Sequence, residues 1–362
     1  MKAMILSAGL GERMLPLTMH AAKPALPLFN KAFAFHSVGY LRRFGIDEIA
    51  INLHHQPDSI TEILKDGSGL GTKIYYSYED DILGTAGGMK KVEDFLSSGT
   101  FIIMNGDFVS DIDLGRAIDQ HRKRKALATL VVMKANSSEY SRLFIDDAMR
   151  VRAIGDDKGS FIFCGIHIIE PEIFQEIPAG RKLDINRDIY PRLIERGNRI
   201  QAYEHKGFWY EFGNLQRYIQ GHRELAQHGL EFMRNILDLG EESCQPMRDN
   251  SCSGSVEGAG SCFLYSSAGA TIAENTRFTG TIVMDKNCRI EKGASIHDSI
   301  LHGNAVIGPD SVISGSIIGE SVIIPPGTEL RHAAVSPISP NEMQKVSFMD
   351  CERLGNLIMK RF

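Results

Sequence analysis

The feature that most constrains the fold is a six-residue repeat between about residues 256 and 330. Each repeat has one apolar side chain of a kind that is usually buried, and Gly or Asn stands at many of the intervening turns. A hexapeptide period is typical of a parallel β-helix, whose coils each place one short strand on each face. No single repeat can bury its own apolar side chain, so stacked coils share one aliphatic column. The rhythm slips between Ser299 and Asn304. We expect the column to contain Ile272, Phe278, Ile290, Ile296, Val306, Val312 and Ile318.

Before about residue 235 the chain alternates short β-rich runs with helix-like segments. This alternation predicts a Rossmann-like α/β domain with a mostly parallel sheet covered by helices. Ligands of such sheets bind at the carboxyl ends of the strands, so chemistry is expected just after Leu6 and Met104. Helical spacing from Leu215 to Ala226 predicts an amphipathic helix. The predicted strands are Ala3–Leu6, Glu48–Leu53, Lys73–Tyr76, Phe101–Met104 and Leu127–Met133.

The two patterns predict the domain organisation. Residues 1–238 form the catalytic domain, and 239–255 form a linker in which periodicity is lost and turn formers are gained. Residues 256–335 form the β-helix. Residues 336–362 form a C-terminal tail, which we expect to be a helix or a loose extension.

Composition excludes several classes of protein. Of 362 residues, 43% are hydrophobic and 23% are charged, which is ordinary for a globular protein and argues against intrinsic disorder. The longest apolar stretch, Leu127–Met133, is too short to cross a bilayer. The net charge of −5 gives no general attraction to nucleic acid or to an anionic membrane. No export signal is visible, so we expect a cytoplasmic protein.

Cysteine spacing gives no sign of a metal ribbon or a disulfide framework. The six cysteines include no Cys-x-x-Cys pair. Reduced, structural thiols are the preferred interpretation.

A glycine-rich segment with two cations follows the first predicted strand. Gly9 and Gly11 let backbone amides approach a phosphate closely, and Arg13 and Lys23 supply positive charge for a polyphosphate. The segment completes neither Gly-x-Gly-x-x-Gly nor the Gly-x-x-x-x-Gly-Lys-[Ser/Thr] loop. A dinucleotide fold and a P-loop are therefore disfavoured.

The segment after the first predicted strand reads Gly9-Leu10-Gly11-Glu12-Arg13, and it continues with Pro16-Leu17-Thr18 and Lys23-Pro24. This segment resembles the signature of sugar-1-phosphate nucleotidyltransferases. That family usually has Thr at the position of Glu12. Three further segments match in order, namely Glu79–Gly88, Asn105–Asp107 and Gly207–Gly213. With the repeats, the resemblance covers about residues 1 to 330. It implies a nucleotidyltransferase domain followed by a left-handed parallel β-helix.

The resemblance implies that an NTP and a sugar-1-phosphate are converted into an NDP-sugar and pyrophosphate. Arg13 would bind the leaving pyrophosphate, and Lys23 would lie near the reacting phosphates. Mg²⁺ would be held by Asp107 and by Glu211, which stands where the family usually has aspartate. Hard carboxylate oxygens suit this cation. The implied nucleotide-binding residues are Leu6, Ala8, Gly9, Gly11, Glu79, Gly84 and Thr85.

The base is left open by the residues. A carboxylate at Glu79 can accept hydrogen bonds from guanine N1–H and N2–H, whereas adenine has no imino donor. We therefore favour GTP, with UTP and dTTP as alternatives. The pattern from Glu79 to Gly88 looks most like mannose-1-phosphate and heptose-1-phosphate guanylyltransferases. The strand from Phe161 to Ile166 equally resembles N-acetylmuramate-1-phosphate uridylyltransferases.

The sugar site is less well defined, because the usual Glu-Lys-Pro segment is missing. The candidate residues for binding the sugar-1-phosphate are Gly165 in the strand that resembles the family's sugar site, Lys158 as the nearest cation to the phosphate, and Asp184 as a ligand of sugar hydroxyls. A solvated hairpin lysine is the alternative for Lys158, and a helix cap is the alternative for Asp184.

Other functions stay open. Glu12, Glu211 and the missing segment also fit a catalytically inactive nucleotide-sugar sensor. The β-helix could mediate homo-oligomerisation, which we expect, or bind a regulator. It could also act as an acyltransferase, for which His297, His302 and His332 are candidates. The basic run from His121 to Lys125 is expected to be a solvated helix end.

Overall fold

The computed structural model describes residues 1–135, 139–155, 158–197, 199–237, 239, 245–246, 262–338 and 351–362. Its contacts divide the chain into two compact units. The first unit contains Met1–Leu10 and Ala34–Tyr210, and the second contains Gly11–Phe33 and Glu211–Phe362. Apart from residues 239, 245 and 246, the predicted linker lies outside the described residues. The sequence-based domain boundaries stay a prediction.

A nine-stranded sheet forms the centre of the first unit, with the order β10-β9-β11-β6-β1-β4-β5 and with β8 joining β11 to β12. Strands β6, β1, β4 and β5 are parallel, and β11 runs antiparallel to β6. The predicted α/β sheet is confirmed, with an antiparallel part beyond β6. The strands before residue 212 are β1 (Lys2–Leu6), β2 (Pro27–Leu28), β3 (Lys31–Ala32), β4 (Glu48–Leu53), β5 (Lys73–Tyr78), β6 (Phe101–Asn105), β7 (Phe108–Ser110), β8 (Ala128–Lys134), β9 (Arg142–Ile145), β10 (Val151–Ile154), β11 (Phe161–Ile169), β12 (Ile200–Glu204) and β13 (Trp209–Glu211).

Two of the helices begin or end at residues that suit those positions. Asn214 caps the predicted amphipathic helix by accepting a hydrogen bond from the Arg217 N–H, and Gly229 follows its last residue. The basic run is confirmed as a solvated helix end at residues 122–125, which are exposed where cations interact favourably with the helix dipole. The expectation is wrong for His121, which is 1% exposed with its Nε2 2.9 Å from Glu170 Oε1. The helices are α1 (Phe33–Arg43), α2 (Asp58–Leu64), α3 (Gly84–Lys91), α4 (Glu93–Leu96), α5 (Leu114–Arg124), α6 (Tyr190–Glu195), α7 (Leu215–His228) and α8 (Leu230–Ile236).

The core of the first unit lies where the sheet meets α3, α4 and α6. Met4, Phe101 and Leu130 of the strands pack with Met89 and Tyr190 of the helices, all of them buried. This packing fixes the carboxyl ends of the parallel strands at one edge. Within the described residues, no helix combines the length and apolarity needed to cross a membrane.

Three ladders of short strands make up the repeat region of the second unit. They are β16-β19-β22-β25, β17-β20-β23-β26 and a longer ladder containing β15-β18-β21-β24-β27. Strands within these runs pair in parallel, as the left-handed β-helix prediction requires. The strands after residue 244 are β14 (Gln245–Pro246), β15 (Phe263–Ser266), β16 (Thr271–Ile272), β17 (Arg277–Thr279), β18 (Thr281–Met284), β19 (Arg289–Ile290), β20 (Ser295–His297), β21 (Ile300–Leu301), β22 (Val306–Ile307), β23 (Val312–Ser314), β24 (Ile317–Ile318), β25 (Ile323–Ile324), β26 (Glu329–Arg331), β27 (Ala333–Pro337), β28 (Glu352–Leu354) and β29 (Leu357–Arg361).

The predicted aliphatic column is wrong at two positions after the slip. Val312 is 36% exposed and Val306 is half-buried, whereas their neighbours Ile313 and Ile307 are fully buried. Successive side chains of a strand point to opposite faces, so a one-residue change of phase exchanges inside for outside. The slip between Ser299 and Asn304 supplies that change.

The end of the chain differs from the expected helix or loose tail. Strand β29 pairs antiparallel with both β27 and β28. Ile358 and Leu357 of β29 are buried. Residues 351–362 therefore form a β-hairpin that extends one ladder of the repeats, while 339–350 lie outside the described residues.

Candidate active site

The carboxyl ends of β1 and β6 meet closely in the first unit. A Cβ atom added to Gly106 would lie 3.2 Å from the Leu6 carbonyl oxygen and 3.5 Å from Ser7 Oγ. The turn that carries the half-buried Asp107 therefore packs against the end of β1, beside Leu6 and Ala8. Gly9 is exposed, and an added Cβ would meet no atom within 4 Å, which leaves room for a ligand.

A buried hydrogen-bond chain joins the ends of β1 and β4 to the start of α3. The Ser7 N–H donates to Asn52 Oδ1 over 2.8 Å, and Asn52 Nδ2 donates to Glu79 Oε1 over 2.8 Å. The Leu83 N–H donates to Glu79 Oε2 over 2.9 Å. Glu79 is only 4% exposed, and each of its oxygens already accepts one bond. Its role in reading guanine stays a prediction that would use the remaining lone pairs.

Asn52 is a residue that the sequence analysis missed. It is 3% exposed, and it has two hydrogen-bond partners at the predicted nucleotide edge. The available signal was an amide in the otherwise apolar strand interior of β4. Buried amides are kept only where their donors and acceptors are satisfied.

The start of α3 is held tightly against the segment around residue 184. A Cβ on Gly84, whose φ is +71°, would lie 2.5 Å from the Leu183 carbonyl oxygen, so this position requires glycine. The Ile185 N–H donates to Thr85 Oγ1 over 2.7 Å, and Thr85 Oγ1 donates to Asp184 Oδ2 over 3.3 Å. The structure thus brings together Gly84, Thr85 and Asp184, three of the predicted site residues.

Asp184 caps the short helix that follows it. Its Oδ1 accepts from the backbone N–H groups of residues 186 and 187. The alternative interpretation of Asp184 as a helix cap is therefore confirmed, and its binding of the sugar stays a prediction. Lys158 is exposed and lies shortly before β11, but β10 and β11 do not pair with each other, so it does not lie in a hairpin, and its contact with the sugar phosphate stays a prediction.

Gly165 lies at an irregularity in β11, where the pairing register with β8 shifts between Phe163 and His167. Its φ is +80°, and an added Cβ would lie 3.0 Å from the Phe108 ring. Trp209 Nε1 donates to the carbonyl oxygen of Cys164 over 2.9 Å. Burial raises the pKa of the Cys164 thiol, so the sulfur beside Gly165 stays protonated. This arrangement leaves backbone and aromatic groups, rather than a reactive thiol, at the predicted sugar site.

From Gly11 onward, the signature segment lies in the second unit and is internally braced. Gly11 has a φ of +68°, and an added Cβ would lie 2.8 Å from Thr18 Cγ2. The Gly11 carbonyl accepts from Thr18 Oγ1 and from the Met14 N–H, each over 2.8 Å. Thr18 is fully buried. The glycine and threonine of the signature therefore fix the turn that presents the exposed Arg13.

The Arg13 guanidinium lies beside the backbone of Gly213. A Cβ on Gly213 would lie 3.5 Å from Arg13 Nη1. Glu211, two residues earlier, is half-buried, and its carbonyl accepts from Arg217 Nε over 2.8 Å. Lys23 is half-buried in a short 3₁₀ turn, Lys23–Ala25. Arg13, Lys23 and Glu211 thus belong to the second unit, and Asp107 belongs to the first.

The described residues contain no group of three or more His, Cys, Asp or Glu side chains that could hold a metal. A zinc-type site is therefore not found among them. Of the acyltransferase candidates, His302 is unsuited to act as a surface base. It is 4% exposed, burial lowers its pKa to about 3, and its Nε2 lies 3.1 Å from the Tyr218 hydroxyl.

Comparison with known proteins identifies the family. Residues 2–228 match the family described as nucleotidyl transferase, and residues 264–334 match the family described as GlmU-like, C-terminal hexapeptide. A UTP–glucose-1-phosphate uridylyltransferase of Synechocystis is 28% identical over 92% of this chain and 95% of its own length. A mannose-1-phosphate guanylyltransferase of Mycobacterium tuberculosis is 29% identical over 81% of this chain and 82% of its own length.

A solved structure shares the fold. HddC from Yersinia pseudotuberculosis superposes with a TM-score of 0.55 at 22% identity, covering 62% of this chain and 98% of that one. The nucleotidyl transferase match spans well over half of the 362 residues. The chain therefore belongs to the nucleotidyl transferase family of enzymes and carries a hexapeptide-repeat region after its catalytic part.

Proposed function

We propose that the protein transfers a nucleotidyl group from an NTP to a sugar-1-phosphate. A phosphate oxygen of the sugar attacks the α-phosphorus in line, and the bond from that phosphorus to the β-phosphate oxygen breaks. The products are an NDP-sugar and pyrophosphate. The observation that carries the proposal is the braced signature turn, in which Gly11 and Thr18 present Arg13 beside Gly213.

The proposed rate enhancement comes from positioning and charge, without a covalent enzyme intermediate. Phosphoryl and nucleotidyl transfer need charge stabilisation more than covalent help. Arg13 would bind the departing pyrophosphate, and Lys23 would act near the reacting phosphates. Leu6, Ala8 and Gly9 would lie along the nucleotide, and an added Cβ on the exposed Gly9 would meet no atom within 4 Å.

Mg²⁺ is the proposed cofactor, with Asp107 and Glu211 as its protein ligands. The chemistry of the donors fits, because both side chains are carboxylates and both are only half-buried. When bound, the ion neutralises phosphate charge. Glutamate at 211 is one methylene longer than the aspartate usual at this position in the family.

We favour GTP and a mannose- or heptose-like sugar phosphate. The preference is supported by the carboxylate of Glu79 and by the mycobacterial guanylyltransferase among the relatives. UTP with a glucose-like sugar phosphate is the second candidate. It is supported by the Synechocystis uridylyltransferase, which this chain matches over a larger share of both lengths.

The test is a substrate panel. The purified protein with Mg²⁺ is incubated with GTP, UTP, dTTP, CTP or ATP against several sugar-1-phosphates, and pyrophosphate release is measured. Release with GTP and mannose-1-phosphate is the expected result. Preferred release with UTP and glucose-1-phosphate would overturn the base assignment but keep the reaction. Bound nucleotide without release from any pair would favour the inactive sensor.

A further inference from the structure

The segment Gly11–Phe33, which carries Arg13 and Lys23, lies in the same compact unit as the repeats. Its middle is packed against the last strands of the chain. Met19, Ile338 and Ile358 form a buried apolar cluster, and Leu15 packs against it. Met19 is 8% exposed and Ile358 is fully buried. The end of the chain thus contacts the segment that carries the signature cations.

A polar contact lies next to this cluster. His20 Nε2 lies 3.0 Å from the carbonyl oxygen of Pro337, and with its proton on Nε2 the ring donates to that oxygen. Pro337 ends β27, and Ile358 pairs with its neighbour Ser336. Two adjacent residues of the signature segment, Met19 and His20, are therefore held by two neighbouring strands of one ladder.

The chain between Met19 and Arg13 is short and braced, so it can transmit a constraint. The Met19 N–H donates to the Pro16 carbonyl over 3.1 Å, and Thr18 Oγ1 donates to the Gly11 carbonyl over 2.8 Å. A displacement of Met19 would therefore strain or break these two hydrogen bonds. The position of Met19 therefore affects the conformation of the turn that presents Arg13.

The C-terminal part of the segment Gly11–Phe33 is held by hydrogen bonds as well. The Tyr218 hydroxyl donates to the Pro27 carbonyl, and the Tyr265 hydroxyl donates to the Phe29 carbonyl over 3.2 Å. Tyr218 belongs to α7, and Tyr265 belongs to β15 of the repeats. In the sequence, Lys23 lies between Met19–His20 and Pro27–Phe29, the two parts of the segment that these contacts hold.

We propose that the C-terminal hairpin positions the signature segment for catalysis, with Ile358 acting through Met19 on Arg13. This inference rests on the proposed function. Ile358 is a positioning residue, because its contact is with the segment and not with substrate. A misplacement of about 1 Å at a reacting centre can cost about 10²-fold in rate, so loosening this contact should be visible in turnover.

The first experiment compares three variants of the full-length protein in the pyrophosphate assay, with rates corrected for the folded fraction. Ile358→Ala should lower kcat/KM about tenfold, and Ile358→Val should stay near wild type. Leu330→Ala is the matched control, because Leu330 is 2% exposed in the core of the repeats and belongs to a different cluster. Equal falls for Ile358→Ala and Leu330→Ala would overturn the inference.

A double-variant cycle tests whether the effect acts through Arg13. In an Arg13→Ala background, adding Ile358→Ala should cause less than a twofold further fall in kcat/KM, while it still lowers the urea midpoint. Contacting or coupled positions are non-additive in this way. Full additivity of the two losses would contradict the proposal.

Hydrogen exchange tests the inference without relying on activity. Amides in a peptide covering residues 11–22 should exchange faster in Ile358→Ala than in wild type, and at the wild-type rate in Leu330→Ala. Unchanged exchange in Ile358→Ala would overturn the positioning role. If the wild-type protein releases pyrophosphate from no substrate pair, the proposed function fails, and this exchange measurement still decides the structural claim.

Discussion

The Asn52 side chain donates a hydrogen bond of 2.8 Å to Glu79, and the two groups are 3% and 4% exposed. Asn52 also accepts from the Ser7 N–H, and Glu79 also accepts from the Leu83 N–H. Two side chains therefore connect the end of β1 with the start of α3. The geometry at the predicted nucleotide edge depends on this connection as well as on the residues that would touch the substrate.

Asn52→Ala should lower the free energy of unfolding by about 1–3 kcal/mol, because it leaves the buried Ser7 N–H and one Glu79 oxygen without a partner. Urea unfolding of wild type and variant measures this. Replacement of the exposed amide of Gln216 by alanine is the control and should change little. An Asn52→Ala midpoint equal to that of wild type would show that the connection contributes no stability.

Glu79→Gln should change the choice of base. The amide loses one acceptor and gains a donor, so it no longer matches guanine N1–H and N2–H. We expect the ratio of kcat/KM for GTP over that for UTP to fall about tenfold, as for the loss of about one hydrogen bond to a charged group. Equal loss for both nucleotides would mean that Glu79 acts only by holding Asn52 and Leu83.

Asp107→Ala should lower turnover by at least about 10²-fold with the fold intact, because the lost carboxylate acts on charge that develops in the reaction. Asp119→Ala, at an exposed site of α5, serves as control. Circular dichroism checks the fold, and pyrophosphate release gives the rate. Near-normal turnover of Asp107→Ala would remove Asp107 from the proposed metal site.

The strands and the reaction family could be predicted because their signals are local. β1, β4, β5 and β6 were evident as β-rich runs, and the motif around Asp107 directly follows β6, whose carboxyl end lies at the edge of the first unit's sheet. The exposed helix end at residues 122–125 was also predicted, since helical spacing precedes it, but the burial of His121 was not.

Features that depend on distant packing could not be predicted. Nothing near Met19 in the sequence indicates that it shares a buried cluster with Ile338 and Ile358, because more than three hundred residues separate it from both. The role of Asp184 could not be predicted for a different reason, because capping a helix and binding a sugar both use the oxygens of its carboxylate. Val312 was misassigned because the slip between Ser299 and Asn304 does not show by how many residues the repeat is shortened.

The corrected register of the repeats can be tested at adjacent positions. Ile313→Ser should lower the free energy of unfolding by about 2–5 kcal/mol, because it removes a fully buried side chain and leaves a cavity. Val312→Ser, at a 36% exposed position, should cost less than about 0.5 kcal/mol. Urea unfolding of both variants decides the register, and the reverse order would restore the original prediction.

Stability should fall in acid because of buried neutral histidines. Burial lowers the pKa of His302 from its ordinary 6.5 to about 3. Between these two values the unfolded chain binds a proton that the folded chain does not, so stability falls as the pH falls through this window. The loss approaches about 1.4 kcal/mol for each pH unit.

The His302→Asn variant isolates this contribution. Its urea midpoint should fall less steeply than that of wild type between pH 6.5 and about pH 4. Identical slopes for wild type and His302→Asn would contradict the pKa shift.

The most direct test of the central claim follows oxygen through the reaction. Mannose-1-phosphate carrying ¹⁸O in its phosphate is incubated with GTP, Mg²⁺ and the protein, and the products are examined by mass spectrometry. In-line attack on the α-phosphorus predicts that all the label appears in GDP-mannose and none in pyrophosphate. Label in pyrophosphate would contradict the direction of transfer, and absence of labelled NDP-sugar with any NTP and any labelled sugar-1-phosphate would contradict the proposed reaction itself.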